Sequence, residues 1–271
     1  MPTKIEWCDE TVSPLRVRGG KIWKHGYHCE KSSPGCLNCY AEKMNIMRGT
    51  GRRYVTSDTN PDYYIDLKAF DKLPKTVRKR VFVQDMSDLF LPGVPRAMIQ
   101  DVIFECEKRG YGSGHTFLFL TKHIKEMADI FQFTNSEPHP YIYPGVTVCN
   151  QKEADEKIPI LLQIPAAKRF VSFEPALEDV DFTGLPPWWG TNQERLDGPI
   201  VDWIIVGCES LGRGKAGRGG TVEIVRSVVR QCADANVPCF VKQISIDGRV
   251  SKNMDEWPAD LRVRQLPERS K

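Results

Sequence analysis

Short apolar runs, rich in β-branched and aromatic residues, alternate along the chain with stretches of helical periodicity. "VFVQ" at 81–84 reads as a strand, and 95–109, "PRAMIQDVIFECEKR", as its helix, with Pro95 in the first turn and Gly110 just past the end. "TFLFLT" at 116–121 is a second strand, followed by the helical "KHIKEMADIFQF". "PGVTVC" at 144–149 is a third, with "QKEADEKIPILLQI" as its helix. "KRFVSF" at 168–173 is a fourth, and "VDWIIVG" at 201–207 a fifth, leading to a helix over 221–235. "PCFVKQ" at 238–243 is a sixth. A strand near residues 10–16 precedes them all, which makes about seven βα-like units.

Continuous rather than alternating apolar strands indicate a parallel sheet covered on both faces. Repeated strand–helix units then predict an α/β fold, a partial or complete parallel (β/α) barrel. Nothing reads as a linker, so 1–271 is expected to be a single domain with insertions at about 50–78, 183–199 and 211–220.

Composition alters this picture in one respect. With 41% hydrophobic residues, six tryptophans and twelve phenylalanines, the core needs no disulfides to hold it. No apolar run approaches the roughly 18 residues of a membrane span. "MPTKIEWCDE" lacks a signal peptide's apolar centre, so a cytoplasmic setting with reduced thiols is expected. Nine cysteines, six of them scattered singly, therefore point to a metal or cluster site rather than a disulfide framework. The net charge of +3 decides nothing about nucleic acid, so local clusters matter more.

Three cysteines stand in "GYHCEKSSPGCLNCYAEKM" (26–44): Cys29, Cys36 and Cys39, spaced C-x6-C-x2-C. A helix over 36–48 would place Cys36 and Cys39 on one face, with its N-terminal dipole favouring thiolates. Zinc wants four ligands, with His25 or His28 as a possible fourth. Three thiolates on a four-iron cluster would leave one iron open. Spacing alone leaves cluster, zinc and free thiols as alternatives.

In a barrel the chemistry sits at the C-terminal ends of the strands. Those ends carry Asp85, Ser87 and Asp88; Thr121 and Lys122; Thr147, Cys149 and Asn150; Glu174; Cys208, Glu209 and Ser210; and Lys242 with Gln243. Strand ends are polar by default, so the series counts for more than any single member.

"TKIEW" (3–7), "SPGCLNCYAEKM" (33–44), "VFVQDMSDLF" (81–90) and "FLTKH" (119–123) run in a recognisable order. "GVTVCNQKEAD" (145–155), "IPILLQIPAAKRFVSFEPAL" (158–177), "DWIIVGCES" (202–210) and "FVKQ" (240–243) continue it. Together these blocks resemble the phage and bacterial three-Cys-motif family, regarded as radical-SAM-like and long described only as phage proteins of unknown function. The resemblance implies a radical SAM barrel in which Cys29, Cys36 and Cys39 ligate a [4Fe–4S] cluster. It implies S-adenosylmethionine on the open iron, cleaved to methionine and a 5′-deoxyadenosyl radical, with a reductase such as flavodoxin or ferredoxin as electron donor.

By position in that fold, Asp85, Ser87 and Asp88 would meet the amino group of SAM. Glu174 or the Thr147–Asn150 exit would meet its ribose, and Lys122 and Glu209 would hold its carboxylate or the substrate. The chain departs from the family pattern at Cys8, Cys149 and Cys208. In the barrel reading Cys149 and Cys208 point into the active-site mouth, where a thiol would return a hydrogen atom to a product radical; small tolerated residues are the plain alternative.

Basic residues cluster in "RGTGRR" (48–53), "KTVRKR" (75–80) and "LGRGKAGRGG" (211–220). The last is glycine-rich enough to predict a mobile loop, where Arg213, Lys215 and Arg218 suit a phosphate backbone. Trp188 and Trp189 would stack on a base. Nucleic acid is thus the expected partner, and the phage association of the family it resembles implies DNA-base hypermodification, for instance rearrangement of an amino-acid-modified thymine, with a radical lyase on a damaged base as an alternative. A non-catalytic, zinc-stabilised nucleic-acid-binding protein is the third possibility.

Overall fold

The structure, a computed structural model, describes residues 5–19, 25–55, 61–134, 139–184 and 200–268. Trp188 and Trp189, and most of the 183–199 insertion, lie outside the described residues. The chain is a mixed α/β protein that forms two compact units, residues 1–144 with 165–167 and 270–271, and residues 145–164 with 168–269. Among the described residues, no helix is long and apolar enough to cross a membrane.

In the first unit β1 (Glu10–Val12), β5 (Arg80–Val83) and β6 (Thr116–Thr121) pair in parallel, with Val12 opposite Val83 and Val83 opposite Phe119. Val81, Val83, Phe117 and Phe119 are buried, as continuous apolar strands require. β2 (Leu15–Arg18), β3 (His25–Gly26) and β4 (Tyr63–Ile65) form a separate antiparallel sheet in the order β3-β2-β4. The strand expected near 10–16 is therefore two strands. Pro14 has no N–H to donate, and the buried Gln84 side chain takes over the ladder's role, accepting from Leu15 N (3.0 Å) and donating to Leu15 O (2.8 Å). Gln84 leaves β5 with φ of 66°.

Helices α1 (Tyr40–Arg48), α2 (Arg96–Ser113) and α3 (Ile124–Thr134) complete this unit. α2 outruns its expected end at Gly110 and stops at Gly114, whose left-handed φ of 68° closes it. Gly110 serves packing instead: a Cβ there would lie 2.6 Å from Tyr141 Cβ.

In the second unit β7 (Ile142–Val148), whose residues from Gly145 belong to it, pairs in parallel with β8 (Phe170–Phe173), β8 with β9 (Trp203–Gly207), and β9 with β12 (Cys239–Ile246). β13 (Arg249–Ser251), β11 (Lys215–Ala216) and β10 (Ser210–Gly212) extend β12 as antiparallel strands. α4 (Gln151–Gln163) and α5 (Val222–Asp234) follow β7 and the β10–β11 hairpin. The apolar pattern of 144–149, 168–173, 201–207 and 238–243 thus marks four of the seven parallel strands, and 10–12, 80–83 and 116–121 the other three.

Gly110 and Gly112 give a test of the packing. Ala in place of an exposed helical glycine stabilises by about 0.5–1 kcal/mol, and a Cβ at Gly112 meets nothing within 4 Å. Gly112→Ala should raise the melting temperature. Gly110→Ala should lower it, since overpacking costs about 1–3 kcal/mol; equal shifts in calorimetry would refute the contact.

Candidate active site

The first unit gathers its polar strand ends around Asp88. Its buried carboxylate accepts from Thr121 Oγ1 (2.7 and 2.9 Å to the two oxygens), from Lys122 N (2.8 Å) and from Phe90 N (3.0 Å). Charge-assisted bonds of this kind offset the cost of burying the carboxylate, and they tie the exit of β5 to that of β6. Asp85 accepts from Ser13 Oγ at 2.6 Å, which ties β5 to the end of β1, while burial pushes its carboxyl above the usual range. Ser87 Oγ accepts from Gln84 Nε2 at 2.7 Å. The trio expected to meet a SAM amino group thus shapes the turn after β5.

The thiol loop is stitched onto that turn. Tyr40 Oη donates to Asp85 O (2.7 Å) and Tyr54 Oη to Met86 O (2.6 Å), and the Cys29 thiol lies beside the Asp88 backbone. Neither tyrosine is marked as a site residue by the sequence pattern; Tyr40 stands out only in following Cys39 directly. Cys29 has Asp88, Lys122 and Cys39 as electrostatic neighbours, and burial pushes its pKa up to about 12. Lys122 is therefore brought to the thiol loop.

The helix expected over 36–48 begins later. Pro34–Cys36 is a 3-10 turn, with Ser33 Oγ accepting from Gly35 N (3.2 Å), and Cys39 is the residue before α1. Cys36 and Cys39 consequently do not share an α-helical face. Pro34 and Gly35 force the tight turn before the chain settles into regular helix.

The donor chemistry suits an iron–sulfur cluster: three soft thiols stand in one loop, and Cys39 directly precedes the nine-residue α1. Among the described residues no three His, Cys, Asp or Glu side chains are gathered as a mononuclear metal site. His28 is buried, with Nε2 4.0 Å from Glu30 Oε1, and His25 is exposed.

The second unit has its own polar group at strand ends. Glu174, after β8, forms an ion pair with Lys242 at 2.8 Å and accepts from Ser172 Oγ at 3.3 Å. The pairing of β12 with β9 shifts register between Val241 and Gln243, so Lys242 is the extra residue of a bulge. Gly207 lies beneath the pair; a Cβ there would meet Glu174 Oε1 at 2.8 Å. Cys208 is buried next to it, held through Gln243 Nε2 donating to Cys208 O (2.7 Å), and burial pushes its pKa up to about 11. Cys149 Sγ points at Glu174 O from 3.9 Å.

Other expected site residues have local duties. Asn150 caps α4, accepting from Glu153 N at 2.9 Å, and Thr147 is buried with its carbonyl accepting from Lys157 Nζ at 3.3 Å. Glu209 is buried and holds Arg218 through Nη2 at 2.7 Å and Nε at 3.1 Å. The segment 211–220, expected as a mobile loop, is a paired hairpin. Its glycines are there for conformation and closeness: Gly219 and Gly220 have φ of 67° and 56°, and a Cβ on them would strike Ala176 O and Cys208 N. Arg213 and Lys215 stand exposed on the hairpin.

The raised pKa of Cys208 has a consequence for stability. A thiol that ionises at about 11 when folded and near 9.0 otherwise stabilises fully below pH 9.0, and that contribution is lost as pH rises towards 11. Wild type should therefore lose about 2 kcal/mol relative to Cys208→Ala between pH 8 and about pH 10.5. Urea unfolding under reductant at both pH values measures it; parallel curves would show that the thiol is not desolvated.

No curated protein and no solved structure matches the chain. One family profile does, over residues 2–256, and its description reads "Protein of unknown function (DUF5131)". With nearly the whole sequence inside that match, the chain belongs to the DUF5131 family.

Proposed function

We propose that this protein is a radical SAM enzyme that acts on a nucleic-acid base. The observation that carries the reading is the seating of the three-thiol loop on the C-terminal exit of β5, through the hydroxyls of Tyr40 and Tyr54, with Cys29 beside the Asp88 backbone. Sites of parallel α/β proteins form at such exits. Parallel strands with intervening helices in both units are consistent with the radical SAM barrel.

Cys29, Cys36 and Cys39 would hold a [4Fe–4S] cluster. When bound, the cluster supplies the electron that splits S-adenosylmethionine into methionine and a 5′-deoxyadenosyl radical. Around it the chain orients and insulates. Asp88, filled by Thr121, Lys122 and Phe90 donors, is a positioning residue for the loop rather than a group offered to SAM. Lys122 brings positive charge beside Cys29, which suits the carboxylate of SAM. Half-buried Asp85 supplies an acceptor for an ammonium.

In the second unit the half-buried Glu174–Lys242 pair suits a polar substrate group, and the neutral Cys208 thiol beside it suits hydrogen return to a product radical. Exposed Arg213 and Lys215 would meet phosphates, whereas Arg218 acts through Glu209. DNA-base hypermodification, such as rearrangement of an amino-acid-modified thymine, is the reaction favoured; Cys208 also supports a lyase acting on a damaged base. A flavodoxin or ferredoxin would deliver the electron.

Anaerobic reconstitution tests this. The wild-type protein should carry about four irons, the complement of the proposed cluster, and with dithionite and SAM release 5′-deoxyadenosine detected by mass spectrometry. Cys36→Ala should reduce the yield to background. Zinc in place of iron, or iron without SAM cleavage, would sink the enzyme reading in favour of a zinc-stabilised binding protein.

A further inference from the structure

A shallow cleft of about 130 Å³ opens in the first unit between the β3-β2-β4 sheet and the loop after α1. Among the described residues, three guanidinium side chains line it, Arg18, Arg52 and Arg53, with the carboxylate of Asp62. Asp62 is engaged by Arg18 at 3.4 Å. Two rings, Tyr27 and His28, also line it.

The walls are built rather than incidental. Asn45, fully buried on α1, accepts from Tyr27 N (2.9 Å) and Thr50 N (3.3 Å). Its amide donates to Thr50 Oγ1 (2.9 Å) and Arg52 O (3.1 Å). One side chain thus satisfies backbone on both sides of the cleft, and the glycines beside it allow the approach: a Cβ at Gly26 would lie 2.7 Å from Asn45 Oδ1. Arg52 and Arg53 are exposed, but the backbone that carries them is held. His28 lines the cleft and Cys29 is the next residue, so the cleft adjoins the thiol loop.

We infer that this cleft binds one phosphodiester-linked nucleotide of a single-stranded nucleic acid, with Arg52 and Arg53 on the phosphates and Tyr27 and His28 beside the base. Guanidinium groups interleaved with rings are the chemistry that tracks a strand and tolerates any base. The inference rests on the proposed reaction on a nucleic-acid base and supplies its substrate form, a strand rather than a duplex or a free base.

Fluorescence anisotropy with a fluorescein-labelled single-stranded DNA of about 12 nucleotides, a length typical of single-strand sites, tests it without SAM or reductant. Arg52→Ala/Arg53→Ala should weaken binding about 10–100-fold and reduce the salt slope by about 1.4, at roughly 0.7 per phosphate contact. Lys108→Ala, on α2, should bind as wild type. Arg53→Glu alone covers the case in which the double variant melts early; it should also lose about tenfold or more. Unchanged binding and slope in these cleft variants would overturn the inference. So would no binding by wild type, or competition by free dTMP equal to that of the strand at matched phosphate. SAM cleavage without strand binding would overturn the cleft alone. Strand binding through Arg52 and Arg53 by a protein that leaves SAM intact would overturn the enzyme reading and keep the cleft.

Discussion

The first unit depends on a buried carboxylate. Asp88 is largely withdrawn from solvent, and its oxygens accept from the Thr121 hydroxyl and the amides of Lys122 and Phe90. An unpartnered buried charge would cost several kcal/mol; the filled one makes the exits of β5 and β6 a single rigid ledge. The thiol loop rests on it through the hydroxyls of Tyr40 and Tyr54, which donate to Asp85 O and Met86 O. The position of the thiol loop is inherited from this ledge.

Backbone exceptions place the chemistry of the second unit. A regular β12 would send Lys242 along the pleat, but the bulge against β9 re-aims it at Glu174. Glycine does comparable work on the other side. Gly219 and Gly220 adopt left-handed φ and press the hairpin onto Ala176 and Cys208, and buried Glu209 secures Arg218 behind them. Glycine content suggested slackness; contact and φ made it the opposite, since a residue without Cβ serves close approach as readily as flexibility.

Asn45 works in the same manner as Asp88 in a different chemistry. Its neutral amide can donate and accept at once, so one side chain serves Tyr27 N, Thr50 N, Thr50 Oγ1 and Arg52 O. The basic run 48–53 was visible as charge; that its arginines stand over a shaped cleft follows from this buried amide.

Apolar runs determined the parallel strands, because a strand covered on both faces must be apolar throughout, and 116–121 emerged with its expected bounds. Cysteine spacing determined that the thiols would share one loop, and strand-end polarity that Asp85, Asp88, Lys122, Glu174 and Cys208 were worth watching. Their partners were decided only in three dimensions. Asp88 and Thr121 are 33 residues apart, Ser13 and Asp85 are 72, and the bulge at Lys242 arises from pairing with another strand. Local sequence encodes periodicity and turn chemistry; hydrogen bonds between distant segments, and the few positions where backbone must leave its regular path, exist only once the sheet has been assembled.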